Sequence, residues 1–152
     1  RLILADALAY GEELYKPRKT MVAATLTTAA LRQYTNYFTP VHFADKAFKD
    51  SLQAHGDQLG EGFVFWQKFA PFKDANLSPA ADLTNMGRLN AAASIGGGSS
   101  CAAHFLKEFV DGPLVHFDIF ATTWNWSTDY PGANYGATGA AFNSIFETLM
   151  AE

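Results

Sequence analysis

Two short runs constrain the fold of this chain more than any other feature. LVHFDIF (114–120) is the best strand in the chain, and TMVAAT (20–25) is apolar at almost every position. A brief, nearly continuous apolar run is the mark of an interior strand covered on both faces, rather than of a strand with one wet side. Between and around these runs the apolar period changes to that of a helix. Leu4, Ala7, Leu8, Gly11 and Leu14 predict a helix over 4–15, stopped by Lys16-Pro17 because proline cannot continue it. Ala44, Ala47, Phe48, Ser51 and Leu52 predict a second, with Gly56 as its C-terminal stop. A third is expected over 99–110, with Ala102, Leu106, Phe109 and Val110 inward, closed by Gly112-Pro113. A fourth spans about 138–150, with Ala141, Ile145 and Leu149 on one face.

The remaining segments are less regular. Residues 33–43 are rich in aromatics and threonine and read as extended, with Pro40 marking an edge or turn. Residues 60–71 read as a loop and strand anchored by Phe63, Phe65, Trp66 and Phe69. Residues 74–92 are polar and irregular, and 129–135 form a turn-rich loop. Helices alternating with buried strands predict an α/β fold, a three-layer αβα arrangement around a mixed, mostly parallel central sheet.

Composition narrows the partners. At 152 residues the chain fits one domain or a large piece of one. Hydrophobic residues make up 49% and charged residues only 17%, so the core is large and the charged surface sparse. Part of that surface is expected to be covered by the rest of a domain, by another subunit, or by both. The net charge is −4, and the basic run KPRK (16–19) is short and isolated, which argues against nucleic acid. The longest uncharged stretch, 89–106, is broken by Asn90 and a glycine triplet and is not a membrane span. A single cysteine, Cys101, excludes an internal disulfide framework and a cysteine-based zinc knuckle.

Chemistry-bearing residues are few. The four histidines, His42, His55, His104 and His116, lack the H-E-x-x-H spacing of zinc proteases. His104 is expected on the polar face of its helix. His116 and Asp118 alternate onto one face of a strand, either as a carboxylate–imidazole pair or as a satisfied polar pair at the strand's end. IGGGSS (95–100) and GATG (136–139) each precede a helix, where backbone N–H groups could cradle an anion; an N-cap at Ser99 or Ser100 explains the first equally well. Arg88 is the basic residue nearest that glycine run. Nothing in the spacing places Cys101, a serine and a histidine as a nucleophilic triad.

Six stretches together carry a resemblance. RLILADAL (1–8), AATLT (23–27), ADLTNMG (81–87), AAHFLKEFV (102–110), HFDIF (116–120) and GATG (136–139) stand in the order and approximate spacing of one catalytic domain. The chain resembles the leucyl aminopeptidases, the cytosol-type M17 metallopeptidases, over nearly its whole length. It is similar to the C-terminal portion of that domain, with the N-terminal domain and the metal-ligand segment lying outside it. The family signature is N-T-D-A-E-G-R-L, and Arg1 resembles the arginine that closes it. The metal-binding aspartate and glutamate of the signature, the other ligands and a catalytic lysine would all lie upstream.

The resemblance implies a metallo-aminopeptidase that removes N-terminal, leucine-type residues from peptides with two divalent metal ions, zinc or manganese. In two-metal hydrolases, aminopeptidases among them, the ions stand about 3.5–4 Å apart, activate a water and polarise the scissile carbonyl. By the same resemblance Arg1 is the catalytic residue of this chain and would hold a bicarbonate, a role suited to a permanently charged planar fork. Thr25, Leu26 and Thr28 would line the substrate cleft. Ala137, in the 136–139 loop, would help wall the side-chain pocket. No metal ligand is expected within the chain, which alone would be inactive and poorly soluble. A cytoplasmic homo-hexamer, completed by the upstream part of the same protein, is the implied assembly.

Departures from the family pattern support an alternative. The family's A-T-L-T-G ends here in Thr28, which lacks glycine's backbone freedom. The following ALRQYTNYFTP is bulky, the linker after Gly87 is long, and no arginine follows GATG within residues 140–143. Each change falls near the substrate, so a catalytically inactive, aminopeptidase-like scaffolding subunit is the second expectation.

Overall fold

Every residue of the strand Leu114–Asp118 is buried, and the remaining elements are arranged around it. The computed structural model describes residues 1–34, 36–87, 97–126 and 134–152. In chain order the helices are α1 (Leu2–Tyr15), α2 (Ala29–Tyr34), α3 (Lys46–Leu59), α4 (Ala70–Asp74), α5 (Gly98–Lys107) and α6 (Phe142–Met150). The strands are β1 (Thr20–Ala24), β2 (Phe38–His42), β3 (Gly62–Trp66), β4 (Leu114–Asp118), β5 (Trp124–Asn125) and β6 (Gly136–Ala137). The main sheet has the order β1-β4-β2-β3. β1 runs parallel to β4, β2 parallel to β3, and β2 antiparallel to β4, so the sheet is mixed and mostly parallel. β5 and β6 form a separate antiparallel pair.

The two-residue period of β4 divides the core. Leu114 joins Ala5, Leu8, Val22, Phe105, Leu106 and Val110 in a cluster between the sheet and helices α1 and α5. Val115 and Phe117 join Val41, Phe48, Leu52 and Phe63 in a second cluster on the α3 side. Helices therefore cover both faces, which is the expected three-layer α/β arrangement. The same alternation puts His116 and Asp118 on the α1/α5 face with Leu114.

Several local expectations are corrected. β1 is not an interior strand among the described residues: it ends the sheet, and Ala23 is exposed. Thr20 N–H donates to Pro113 O and Ala24 O accepts from Ile119 N–H, so alternate residues bond to β4 and Met21 and Ala23 turn their backbone groups outward. Residues 33–43 are not extended throughout, because α2 occupies their start. Pro40 lies inside β2, one residue before the antiparallel ladder to β4 begins at Val41, so its missing N–H falls outside that ladder. Among the residues of 99–110, the first nine of α5, Gly98 to Leu106, are all buried, so His104 has no polar face to occupy. The glycines of GATG do not open a helix: Gly136 and Ala137 form β6, and α6 starts at Phe142. Its buried residues are Ser144 and Thr148, which meet α3 and its C-terminal loop through Glu61 and His55. Ile145 and Leu149 instead line an apolar groove of about 420 Å³ with Ala23, Ile119, Phe142 and Phe146. Residues 129–133 of the turn-rich loop, and Arg88, lie outside the described residues. No helix among those described is long and apolar enough to cross a membrane.

Gly56 does not stop α3. The helix runs on to Leu59 and ends at Gly60, whose φ of 73° is the left-handed cap. Gly56 is buried within it because a Cβ there would lie 2.5 Å from Glu61 O and 2.8 Å from the Phe63 ring. The glycine lets the α3–β3 turn fold back against its own helix. Gly56→Ala is therefore expected to destabilise the protein by about 1–3 kcal/mol through overpacking. Gly60→Ala meets open space and should cost only about 1 kcal/mol of backbone strain. Urea unfolding midpoints of the two variants check the order.

Candidate functional site

The α1/α5 face of the sheet collects the polar residues of the chain at the C-terminal ends of β1 and β4. Asp118 is fully buried there. Its Oδ1 accepts from Leu26 N–H and Thr27 N–H, each at 3.3 Å, and its Oδ2 accepts from the Thr27 hydroxyl at 2.6 Å. Phe120 N–H also points at Oδ1, at 3.5 Å. The carboxylate thus closes over the segment 25–28 that leaves β1. Thr25 and Thr28 are exposed on that segment, while Leu26 is half-buried against the α1/α5 cluster.

Arg1 precedes α1 and is half-buried. Its guanidinium donates through Nη1 to the Asn85 carbonyl, and its Nε is buried without a hydrogen-bond partner among the described residues. Burial holds the guanidinium below its ordinary basicity, while Cys101 and Asp118 nearby oppose that shift. Burial likewise pushes the Cys101 thiol up, with Arg1 acting the other way. An enclosed thiol of this kind is a neutral packing residue, not a thiolate nucleophile. Asn76 holds the same corner, donating from Nδ2 to Cys101 O at 2.8 Å.

Three buried imidazoles extend the polar layer. His116 donates from Nδ1 to Val22 O at 3.3 Å, which fixes the tautomer and leaves Nε2 as a buried acceptor. It does not hydrogen-bond Asp118; each takes its own partner on β1 or the loop after it. His42 stacks on His116 with ring centroids 5.7 Å apart and shares a hydrogen bond of 2.9 Å with Ser99. Ser99 therefore binds a side chain across the core, and the N-cap position of α5 is Gly97. His104 accepts from Phe69 N–H at 3.2 Å. Burial lowers all three imidazoles, His42 well below its usual value and His116 to about 4.

The structure brings Arg1 and the 25–28 segment to one face, through Asp118. Ala137 is placed differently: it is exposed on β6, paired with Trp124 beyond the end of β4. Among the described residues no three of His, Cys, Asp and Glu converge as a metal site. Sequence reasoning did not single out Thr27, Asn76, Asn85 or the His42–Ser99 bond. Thr27 and Asn85 do lie in the stretches AATLT and ADLTNMG, so order along the chain was their only signal; His42 and Ser99 meet across 57 residues with no motif between them.

The model for the catalytic domain of the cytosol aminopeptidase family (peptidase M17) matches residues 1–146. The chain belongs to the cytosol aminopeptidase family. A probable cytosol aminopeptidase of Acidobacterium capsulatum is 36% identical over 148 residues, covering 97% of this chain and 28% of that protein. A protein of the same description from Cenarchaeum symbiosum is 37% identical over 130 residues, 82% of this chain and 25% of its own length. The chain thus spans about a quarter of the length of these family members. Among solved structures, the bottromycin maturation enzyme BotP superposes with a TM-score of 0.84 at 28% identity, over 99% of this chain and 32% of that one. The family assignment carries the α/β catalytic-domain fold described above.

The buried imidazoles make the fold of this family member acid-sensitive. A histidine held neutral in the folded state, below its unfolded value of 6.5, contributes stability that is complete above that value and lost as pH falls through it. From 6.5 down to about 4, His116 alone accounts for a loss on the order of 3 kcal/mol. Urea midpoints should therefore fall steadily from neutral pH towards about 4, and His116→Gln should flatten that slope.

Proposed function

We propose that this chain forms the C-terminal wall of an aminopeptidase active site, cleaving N-terminal, leucine-type residues from peptides. One observation carries the reading: Asp118 at the end of β4 holds the 25–28 segment, and the half-buried guanidinium of Arg1 lies within electrostatic reach of the same carboxylate. Family membership and the relatives described as probable cytosol aminopeptidases support it. Arg1 is the catalytic residue, Thr25, Leu26 and Thr28 line the cleft, and Ala137 helps wall the side-chain pocket.

The residues described do not themselves compose a metal site. Two divalent ions, zinc or manganese, would be held by ligands elsewhere in the protein. When bound, such ions supply Lewis acidity and an activated water. Arg1 does fit an anion such as bicarbonate, because its Nε is buried and without a partner among the described residues. A guanidinium offers that anion a fixed, planar set of donors, and partial burial strengthens the interaction by lowering the local dielectric.

The assembly proposed is a cytoplasmic homo-hexamer completed by the upstream part of the same protein. Large apolar side chains stand open on this chain: Ile3 is 85% exposed, Tyr15 76% and Trp126 74%. Such surface is normally covered, so the segment expressed alone should aggregate. A second reading, an inactive scaffolding subunit, rests on Thr28, a side chain where the family pattern carries glycine on the cleft segment.

Activity of the full-length protein on leucine amide with added manganese or zinc tests the choice. Metal-dependent release of leucine is expected; its absence, with metal bound, favours the scaffold. Arg1→Ala should lower kcat by about 10²-fold, the scale of losing one preorganised donor to developing charge. Arg1→Lys should recover little, since an ammonium cannot reproduce the fork.

A further inference from the structure

Asp118 holds more donors than its place in the core requires. It is 0% exposed and follows four buried strand residues, where a neutral side chain would be the cheaper occupant. Its two oxygens instead gather Leu26 N–H, Thr27 N–H, the Thr27 hydroxyl and Phe120 N–H. Three of those donors come from one stretch, more than 90 residues away in sequence, that is neither helix nor strand. The Thr27 side chain is turned inward to the carboxylate, while its neighbours Leu26 and Thr28 are left on either side. Arg1 lies within electrostatic reach of the same carboxylate.

We propose that Asp118 is a positioning residue for the aminopeptidase reaction: through Thr27 it pins the 25–28 segment to the end of β4 and sets the distance between that segment and Arg1. The inference rests on the aminopeptidase reading given above. Asp118 itself is enclosed and touches no substrate. It acts by fixing two backbone N–H groups and one hydroxyl, which leaves Thr25 and Thr28 exposed in one orientation. A strand end held only by backbone pairing would let those side chains drift, and a misplacement of about 1 Å in an active site costs on the order of 10²-fold in rate. An amide is a weaker substitute for the carboxylate: its oxygen can keep the two N–H donors and its nitrogen can donate to the Thr27 hydroxyl, but the charge that strengthens all of these bonds is lost.

The test uses full-length protein and three variants, one at Asp118 and a pair at Thr27. Asp118→Asn should lower kcat/KM on leucine amide by about 10–100-fold, with bound metal unchanged. Thr27→Val keeps the shape and loses the hydroxyl; it should raise KM by several-fold, on the order of one lost charge-assisted hydrogen bond, and Thr27→Ser should restore it. Amide hydrogen exchange at Leu26 and Thr27 should quicken in Asp118→Asn and in Thr27→Val but not in Thr27→Ser. A merely structural role would lower stability without this exchange signature or the serine rescue. Wild-type kinetics in a folded Asp118→Asn or Thr27→Val overturns the proposal, as does a valine variant that serine fails to rescue. If Asp118→Asn does not fold, the Thr27 pair decides. If the wild type cleaves nothing, the aminopeptidase reading falls by itself, and unchanged exchange at Leu26 and Thr27 in the variants then separately overturns the positioning of the segment.

Discussion

The burial of a single strand on both faces is the constraint from which the rest of this structure follows. β4 pairs with β1 on one side and β2 on the other, one parallel and one antiparallel. Both of its faces must therefore be sealed by helices, and it contributes side chains to both hydrophobic clusters. In such a strand any polar residue is held to a strict condition: every donor and acceptor needs a partner, because water is not at hand. Asp118 meets that condition by reaching sideways to the loop beyond β1; His116 meets it only at Nδ1, on Val22 of β1, and its Nε2 stays without a partner among the described residues. The site is thus a by-product of how the core accommodates polarity at one end of its central strand.

That arrangement ties chemistry to folding. The carboxylate that orders the cleft segment is also the last residue of β4, so the segment cannot settle until the parallel β1–β4 pairing is in register. Parallel pairing across more than 90 residues is a non-local event, and the intervening helices must pack before it gains its reward. Arg1, reached through α1 on the same face, depends on the same pairing. The arrangement around Asp118 is in this sense a non-local property of the fold, assembled from chain segments that meet only when β1 and β4 pair.

How much of this was legible beforehand varied with the physics of each segment. β4 was legible as a strand from its β-favouring residues, though the alternation of His116 and Asp118 gave no sign that both faces are covered, and α3 was legible because its period is clean. Gly56 misled because a glycine near a helix end has two uses, a left-handed cap or a close approach, and only the position of Phe63 decides between them. β1 misled for a related reason: composition records that a strand is apolar, not which neighbour covers it. His104 was assigned to a wet face since its helix carries serines and a lysine, yet α5 is enclosed nearly all round, its polar groups taken up by His42 and Phe69. Within the site, Arg1 and the segment at 25–28 were legible only through resemblance. The role of Asp118 was not, because a strand pattern shows which face a carboxylate takes but not which distant amides it will meet.

The outward rim of β1 has a consequence of its own. Met21 and Ala23 turn their amide and carbonyl groups away from β4, where no strand among the described residues pairs with them, beside the apolar groove under α6. A bare rim next to a greasy trough is adhesive: it can capture an extended peptide by backbone bonding alone and bury that peptide's alternate side chains in the trough. Any chain that came to lie along it would shield this sheet from zipping onto a second copy.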